Sequence, residues 1–370
     1  MLVVRNAAAF VLSSSMLAMP ARAQTPLSFD RARTEGVMAT GQALAPPLTV
    51  PVTAVAVQAA TAGTLLHRVH FTIAAVSGPG WTIEVTAGGQ TLVSGPLDAT
   101  GEWWTPPLNE TPAAVSARLV GPPGQGPPQV VADRIAVLVE PATPQAITPP
   151  GDDSASIVTA SPRIKDWGKS IARLQFIGAD GNGYFCTAFV VSSTLMLTNN
   201  HCINTDAEMQ SAVVEFDYDT DGAHVDSRRF AALLVHDETL DYSLLRLARP
   251  SSRTPLPLKD MAVAEKQGLL IIEHPAGKPK RVSIIDCQVR GPEMTGMGQE
   301  KTDFGHFCDT EGGSSGSPIQ DAQSGAVLGL HHLGFQAGAN IVVNRGVKIG
   351  LILKDLAQKA PAVRAEIVTP

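Results

Sequence analysis

Apolar residues recur at every second position in short runs along this chain, and Gly or Pro closes most of the runs. Val69, Phe71 and Ile73 alternate with polar or small residues, as do Trp81, Ile83 and Val85, and later Ile135, Val137 and Val139. A period of two places one set of side chains on one face of an extended strand, the pattern of a half-buried antiparallel sheet. Gly78-Pro79-Gly80, Gly88-Gly89 and the Pro-rich stretch from Gly121 to Pro128 supply the turns. With 33 Gly and 28 Pro in 370 residues, the chain is expected to be all-β, built from short strands and tight turns.

That length allows two domains, because single cores rarely grow past a couple of hundred residues. Residues 40–142 read as a small β-sandwich, an accessory or pro-domain. His67 and His70 lie in one of its strands without Cys or carboxylate beside them in sequence, so surface or edge positions are expected rather than metal ligation. Residues 143–160 are rich in Pro, Thr, Ser and Asp, lack apolar periodicity and read as a linker. A second β-rich unit follows over 161–358. It opens with a strand at Ile171 to Ile177, continues through Phe189 to Leu197, and ends in Val347 to Ala360. In that last stretch Ile349, Ile352, Leu353 and Leu356 share one helical face.

The first residues set the expected compartment. Arg5 supplies a positive n-region, Ala7 to Met19 a short apolar run, and Ala21-Arg22-Ala23 the small residues a signal peptidase reads. Residues 1–23 are therefore expected to be a signal peptide, with Gln24 the first residue after cleavage and the protein secreted or periplasmic. The run is too short and Ser-rich to span a bilayer, and no later segment is apolar enough to do so. The net charge of −6 comes without a Lys/Arg cluster, which argues against a nucleic-acid partner. In an exported chain an even count of four cysteines suggests two disulfides. Cys186 and Cys202 bracket one loop, and Cys287 and Cys308 another, although three pairings are open by count alone.

Three segments carry chemistry. Gly312-Gly313-Ser314-Ser315-Gly316-Ser317-Pro318 has the glycines a strained turn needs to expose a serine Oγ beside backbone N–H groups. The N–H groups of Gly313 and Ser315 would then face an oxyanion. Leu197-Thr198-Asn199-Asn200-His201-Cys202 delivers a histidine at the end of an apolar strand, as a fixed general base requires. Leu240-Asp241-Tyr242-Ser243-Leu244-Leu245 places an acid at the mouth of another strand, where it can fix the imidazole tautomer. Asp237 is the rival, but the apolar strand directly follows Asp241. The bland readings are a Gly/Ser turn, a structural histidine and a strand-capping aspartate. Their order, His then Asp then Ser, differs from that of subtilisins (Asp, His, Ser) and of α/β-hydrolases (Ser, Asp, His).

On these residues the second unit resembles the trypsin/chymotrypsin family, in particular its bacterial branch of glutamyl endopeptidases of the staphylococcal type and lysyl endopeptidases. The matching pieces are Cys186-Thr187-Ala188-Phe189, Thr198 to Cys202, Leu240 to Leu247, Asp309 to Pro318, and Leu328-Gly329-Leu330-His331. The resemblance covers residues 161–358 and implies a chymotrypsin-like double β-barrel of two six-stranded halves. His201 and Asp241 would come from the first barrel and Ser315 from the second. One departure is Ser314, which stands where animal members carry the Asp that pairs with a freshly cleaved N-terminus. That activation salt bridge cannot form here.

The expected function is a secreted serine endopeptidase that acts on protein or peptide substrates as a monomer, without cofactor or metal. The remaining histidines, including His224, His236, His274 and His306, show no metal-ligand spacing. Two pocket readings stay open. Asp309, six residues before Ser315, resembles an acid that selects Lys or Arg. Thr310 and His331 instead match positions that hold a glutamate side chain. His331 and His332 also read as a plain pair of strand residues, one of them buried. Rival functions are a catalytically silent binding protein on a protease scaffold and a quality-control protease with chaperone activity.

Overall fold

The computed structural model describes residues 32–34, 48–49, 55–56, 65–87, 89–106, 108, 115–122, 125–138, 151–221, 225–298, 300–334 and 343–369. The expected signal peptide, residues 143–150 of the expected linker and His224 lie outside these residues.

Two four-stranded sheets form before residue 139. One runs in the order Leu48–Thr49, Gln129–Leu138, Leu65–Ala75, Gly101–Trp104, and the other Val55–Ala56, Ser116–Val120, Thr82–Ala87, Gln90–Val93. Their facing sides close over one core. Val69, Phe71 and Ile73 from the first sheet meet Trp81, Ile83 and Val85 from the second, so the alternation read from sequence is the alternation of burial. The small sandwich thus forms because each sheet has one apolar face to hide. His70 departs from expectation. It is fully buried, with Nδ1 2.5 Å from Asp133 and Nε2 3.3 Å from Glu102. Both acids come from other strands, out of reach of local sequence reading. The side chain of His67 lies outside the described residues.

Arg68 ties the sandwich to the second unit. It is buried beside Trp104, donates from Nε to the Thr105 carbonyl at 2.7 Å and from Nη2 to the Ser211 carbonyl at 2.7 Å. Arg229 answers from the other side, donating to the Trp104 carbonyl at 2.6 Å, and Trp104 packs on Ile177. Burial first, and the nearby Arg229 second, lower the Arg68 pKa to about 9.

The second unit is a chymotrypsin-like double β-barrel. The first sheet runs Asp226–Arg228, Val213–Phe216, Ile171–Ile177, Gly183–Val190, Leu195–Thr198, Tyr242–Leu247, Phe230–Asp237, with Ala32–Thr34 added beside Gly183–Val190. The second runs Ala155–Ser156, Arg281–Ser283, Leu269–Glu273, Pro318–Asp321, Val327–Leu333, Asn344–Lys348, Asp303–His306. The first sheet thus has eight strands and the second seven, where six were expected in each barrel. The single expected strand from Phe189 to Leu197 is two strands, because Ser192 to Thr194 form a hairpin turn. Residues 155–160, expected as linker, also differ: they form a strand and a short 3-10 helix with Ile157 buried in the core. Two adjacent large apolar residues, Ile157 and Val158, in a polar stretch set no period to read.

Each barrel has its own interior, and a third cluster lies between them. The helix Ile349–Lys359 closes it, burying the expected face of Ile349, Ile352, Leu353 and Leu356. Each such side chain stabilises by roughly 2 kcal/mol, and together they hold the two barrels at a fixed spacing across the cleft.

Candidate active site

Three sharp turns bring the sequence-predicted residues together. The strand Leu195–Thr198 ends in a turn where Cys202 and Ile203 both donate to the Asn199 carbonyl, and Cys202 is bonded to Cys186 on the neighbouring strand. His201 is thereby fixed at the strand end. Asp241 sits in the turn before Tyr242 with φ +46°, a left-handed conformation unusual for an L-residue. Asn199 Nδ2 holds that turn by donating to the Asp241 carbonyl at 2.7 Å. Ser315 lies between Gly313 (φ +99°) and Gly316 (φ +86°).

The side chains form one line. His201 Nε2 is 2.9 Å from Ser315 Oγ, and His201 Nδ1 is 2.7 Å from Asp241 Oδ2. The His201 N–H also donates to Asp241 Oδ1 at 2.9 Å. An ionised carboxylate only accepts, so Nδ1 carries the proton and Nε2 is left to accept from the serine hydroxyl. Burial alone would raise the Asp241 pKa, but the charges and hydrogen bonds of His201 and His332 outweigh it and hold it at about 2. Asp237, the rival acid, is spent elsewhere: it caps Leu240 N–H and pairs with Lys359.

The loop before Ser315 is held by both barrels. Ala276 N–H donates to the Gly312 carbonyl at 2.5 Å, which turns that oxygen toward the 3-10 turn Pro275–Gly277. The Gly313 N–H, across the same peptide, therefore points the opposite way. Among the described residues neither Gly313 N–H nor Ser315 N–H donates a backbone hydrogen bond. Thr187, from the first barrel, donates through Oγ1 to the Gly313 carbonyl at 2.9 Å and accepts His274 N–H at 3.0 Å. Its own N–H donates to the Ser315 carbonyl at 2.8 Å. These approaches leave no room for side chains. A Cβ at Gly313 would lie 2.8 Å from the His274 carbonyl, and one at Gly316 2.1 Å from the Thr187 carbonyl. Ser314 closes the loop locally, its Oγ accepting Glu311 N–H and its N–H donating to the Glu311 carbonyl.

The pocket residues part company. Asp309 follows the Cys287–Cys308 disulfide, and its Oδ2 accepts the Asp153 N–H at 2.9 Å. Burial and the neighbouring Asp309 push the Asp153 pKa up to about 6. Thr310 and His331 are both buried. His331 lies across from the Ser315 loop, with its carbonyl accepting Gly316 N–H and its N–H donating to the Ser317 carbonyl. Its Nδ1 is 3.1 Å from His306 Nε2. Burial and the facing histidines hold the His306 pKa well below its ordinary value.

Sequence reasoning missed four contributors. Thr187 was legible only as part of a matching segment, Ala276 only within Glu273-His274-Pro275-Ala276-Gly277, which reads from sequence as a strand-ending turn, and Asp303 not at all. His332 is buried like His331 and touches Asp241 itself. The doubled histidine was its one signal, and it pointed to no role.

Residues 186–330 match the family model of the trypsin-like peptidase domain. The secreted RxLR effector protein 73 of Plasmopara viticola is 31% identical over 181 residues, 45% of this chain and 45% of the relative. The uncharacterized protein y4fB of Sinorhizobium fredii is 30% identical over 171 residues, 40% of this chain and 25% of the relative. The chain thus spans less than half the length of these curated relatives. Among solved structures, the Rv3671c protease of M. tuberculosis in its active form has 17% identity and a TM-score of 0.43, covering 60% of this chain and 94% of that one. The scabies mite inactivated protease paralogue S-I1 has 15% identity and a TM-score of 0.42, covering 52% and 96%. Within the double barrel, residues 186–330 are thus similar to the trypsin-like peptidase domain.

Proposed function

We propose that the protein is an exported serine endopeptidase with His201, Asp241 and Ser315 as its triad. The observation that carries this reading is the unbroken line from Ser315 Oγ through His201 to Asp241, at 2.9 and 2.7 Å. His201 takes the Ser315 proton as Oγ attacks the scissile carbonyl. The N–H groups of Gly313 and Ser315 receive the oxyanion. His201 then protonates the leaving amine, Asp241 stabilises the imidazolium, and water releases the acyl-enzyme by the reverse steps.

For the residue ahead of the scissile bond the proposal is Glu. Asp309 is engaged by Asp153, whereas His331 is bonded to the Ser315 loop and Thr310 is buried ahead of that loop in the chain, and a histidine holds a carboxylate by a charge-assisted hydrogen bond. Residues 40–142 are proposed as an accessory domain docked through Arg68. Removal of that domain by processing would have to cut ahead of Asp152, because Ala155–Ser156 and Ile157 are built into the second barrel.

The test is cleavage of a mixed peptide library by the wild type and by Ser315→Ala. Cuts after Glu that vanish in the variant support the reading, and cuts after Lys or Arg return the pocket to Asp309. If no fluorophosphonate labels Ser315 and neither protein cuts, the domain is a binding module on a protease scaffold.

A further inference from the structure

The catalytic-type aspartate is shared by two histidines. His332, on the strand Val327–Leu333 of the second barrel, is fully buried. Its Nδ1 is 3.1 Å from Asp241 Oδ2, the same oxygen that faces His201. Its Nε2 is 2.9 Å from Asp303 Oδ2 on the strand Asp303–His306, and Asp303 Oδ1 accepts from Thr302 Oγ1 at 2.9 Å. Both ring nitrogens therefore face carboxylate oxygens. Ionised carboxylates accept and do not donate, so each nitrogen must bring a proton, and a ring with two N–H groups is an imidazolium.

We propose that His332 is a positioning residue for this site, a standing buried cation that clasps the Asp241 carboxylate from the second barrel and keeps it ionised and aimed at His201. The inference rests on the triad reading given above. It adds a fourth and a fifth member to the line, which then runs Ser315, His201, Asp241, His332, Asp303 and crosses the cleft between the barrels. A hydroxyl in place of the imidazolium could donate one hydrogen bond to Asp241 but would bring no charge.

The titratable groups near His332 are Asp241 from the turn before Tyr242, His201 on the same carboxylate, Asp303 and His306 on the strand Asp303–His306, and His331 beside it. Burial alone would discharge His332. The hydrogen bonds and charges of Asp241 and Asp303 overcome that and raise its pKa to about 9. A cation at this place offsets part of the charge of Asp241. With the cation gone, the full carboxylate charge acts on His201, which favours its protonated, inactive form.

The experiment compares His332→Gln with the wild type. The expected result is a kcat lowered about tenfold or more with KM within about twofold, and an acid limb of kcat/KM moved to higher pH by roughly half a unit or more. A lower melting temperature with kcat and acid limb unchanged makes the contact merely structural and overturns the proposal. A second measurement needs neither activity nor a His332 variant. In histidine-labelled protein carrying Ser315→Ala and His70→Gln, the latter removing the other ring that faces two carboxylates among the described residues, nitrogen NMR at pH 8 should show one ring protonated at both nitrogens. A spectrum with only neutral rings overturns the proposal. Absence of activity in the wild type counts against the protease reading alone, and the spectrum then decides for His332.

Discussion

Thr187 Oγ1 donates to the Gly313 carbonyl at 2.9 Å, so a residue of the first barrel sets the backbone of a loop that belongs to the second. The same oxygen accepts His274 N–H, and one hydroxyl thereby orients both sides of the proposed oxyanion site. Thr187→Val keeps the shape and removes both hydrogen bonds. It is expected to lower kcat by about 10- to 100-fold, since a misaimed oxyanion donor costs a few kcal/mol of transition-state stabilisation, while Thr187→Ser restores most of the rate. Steady-state kinetics on one peptide substrate checks both.

Gly313→Ala meets two obstacles. The left-handed φ of +99° disfavours an L-residue, and the new Cβ would press on the His274 carbonyl at 2.8 Å. The loop should turn its Gly312–Gly313 peptide to escape, losing the Ala276 contact and most of the activity. Retained fluorophosphonate labelling at the wild-type rate would show that the loop tolerates the change.

The Cys186–Cys202 disulfide closes a loop with sequence separation 16 and fixes the turn that carries His201. Replacing both cysteines by Ala should cost about 3 kcal/mol of stability by the loop-entropy argument. It should lower kcat more than KM rises, because the histidine is the group set loose. Urea unfolding read beside kinetics separates the two effects.

Stability should peak near neutral pH. His332 has a raised folded pKa of about 9, so its contribution is complete below its ordinary value of 6.5 and is lost as pH rises through about 9. His274 and His306 are held neutral by burial, with folded pKa well below 6.5. The unfolded chain then binds more protons below pH 6.5, and stability falls on the acid side. Melting curves of Ser315→Ala protein from pH 5 to 10 should show the peak, and His332→Gln should flatten only the alkaline limb.

Arg68 and Arg229 both bond the sandwich to the barrel, and loss of Arg68 strands the Ser211 and Thr105 carbonyls. With a specific cleavage site placed in residues 141–150, the two halves should still elute together on gel filtration after cutting. In Arg68→Ala with Arg229→Ala they should separate. Separation of the wild-type halves would reduce the contact to a tethered encounter.

The sequence by itself determined what depends on local order. Period-two alternation is a property of consecutive residues, so the sandwich faces, the strand at Ile171 and the closing helix were legible. So were His201, Asp241 and Ser315, because each sits in a segment whose own chemistry is unusual: a strand-end histidine beside Cys202, an acid at a strand mouth, a serine between glycines. Their meeting within hydrogen-bond reach is a fact of the tertiary structure. The burial of His70 between acids from other strands, the hold of Thr187 on Gly313, and the placing of Asp303 behind His332 were decided there alone. Those contacts join residues tens to more than a hundred positions apart, and their electrostatics arise only once folding removes water from between them.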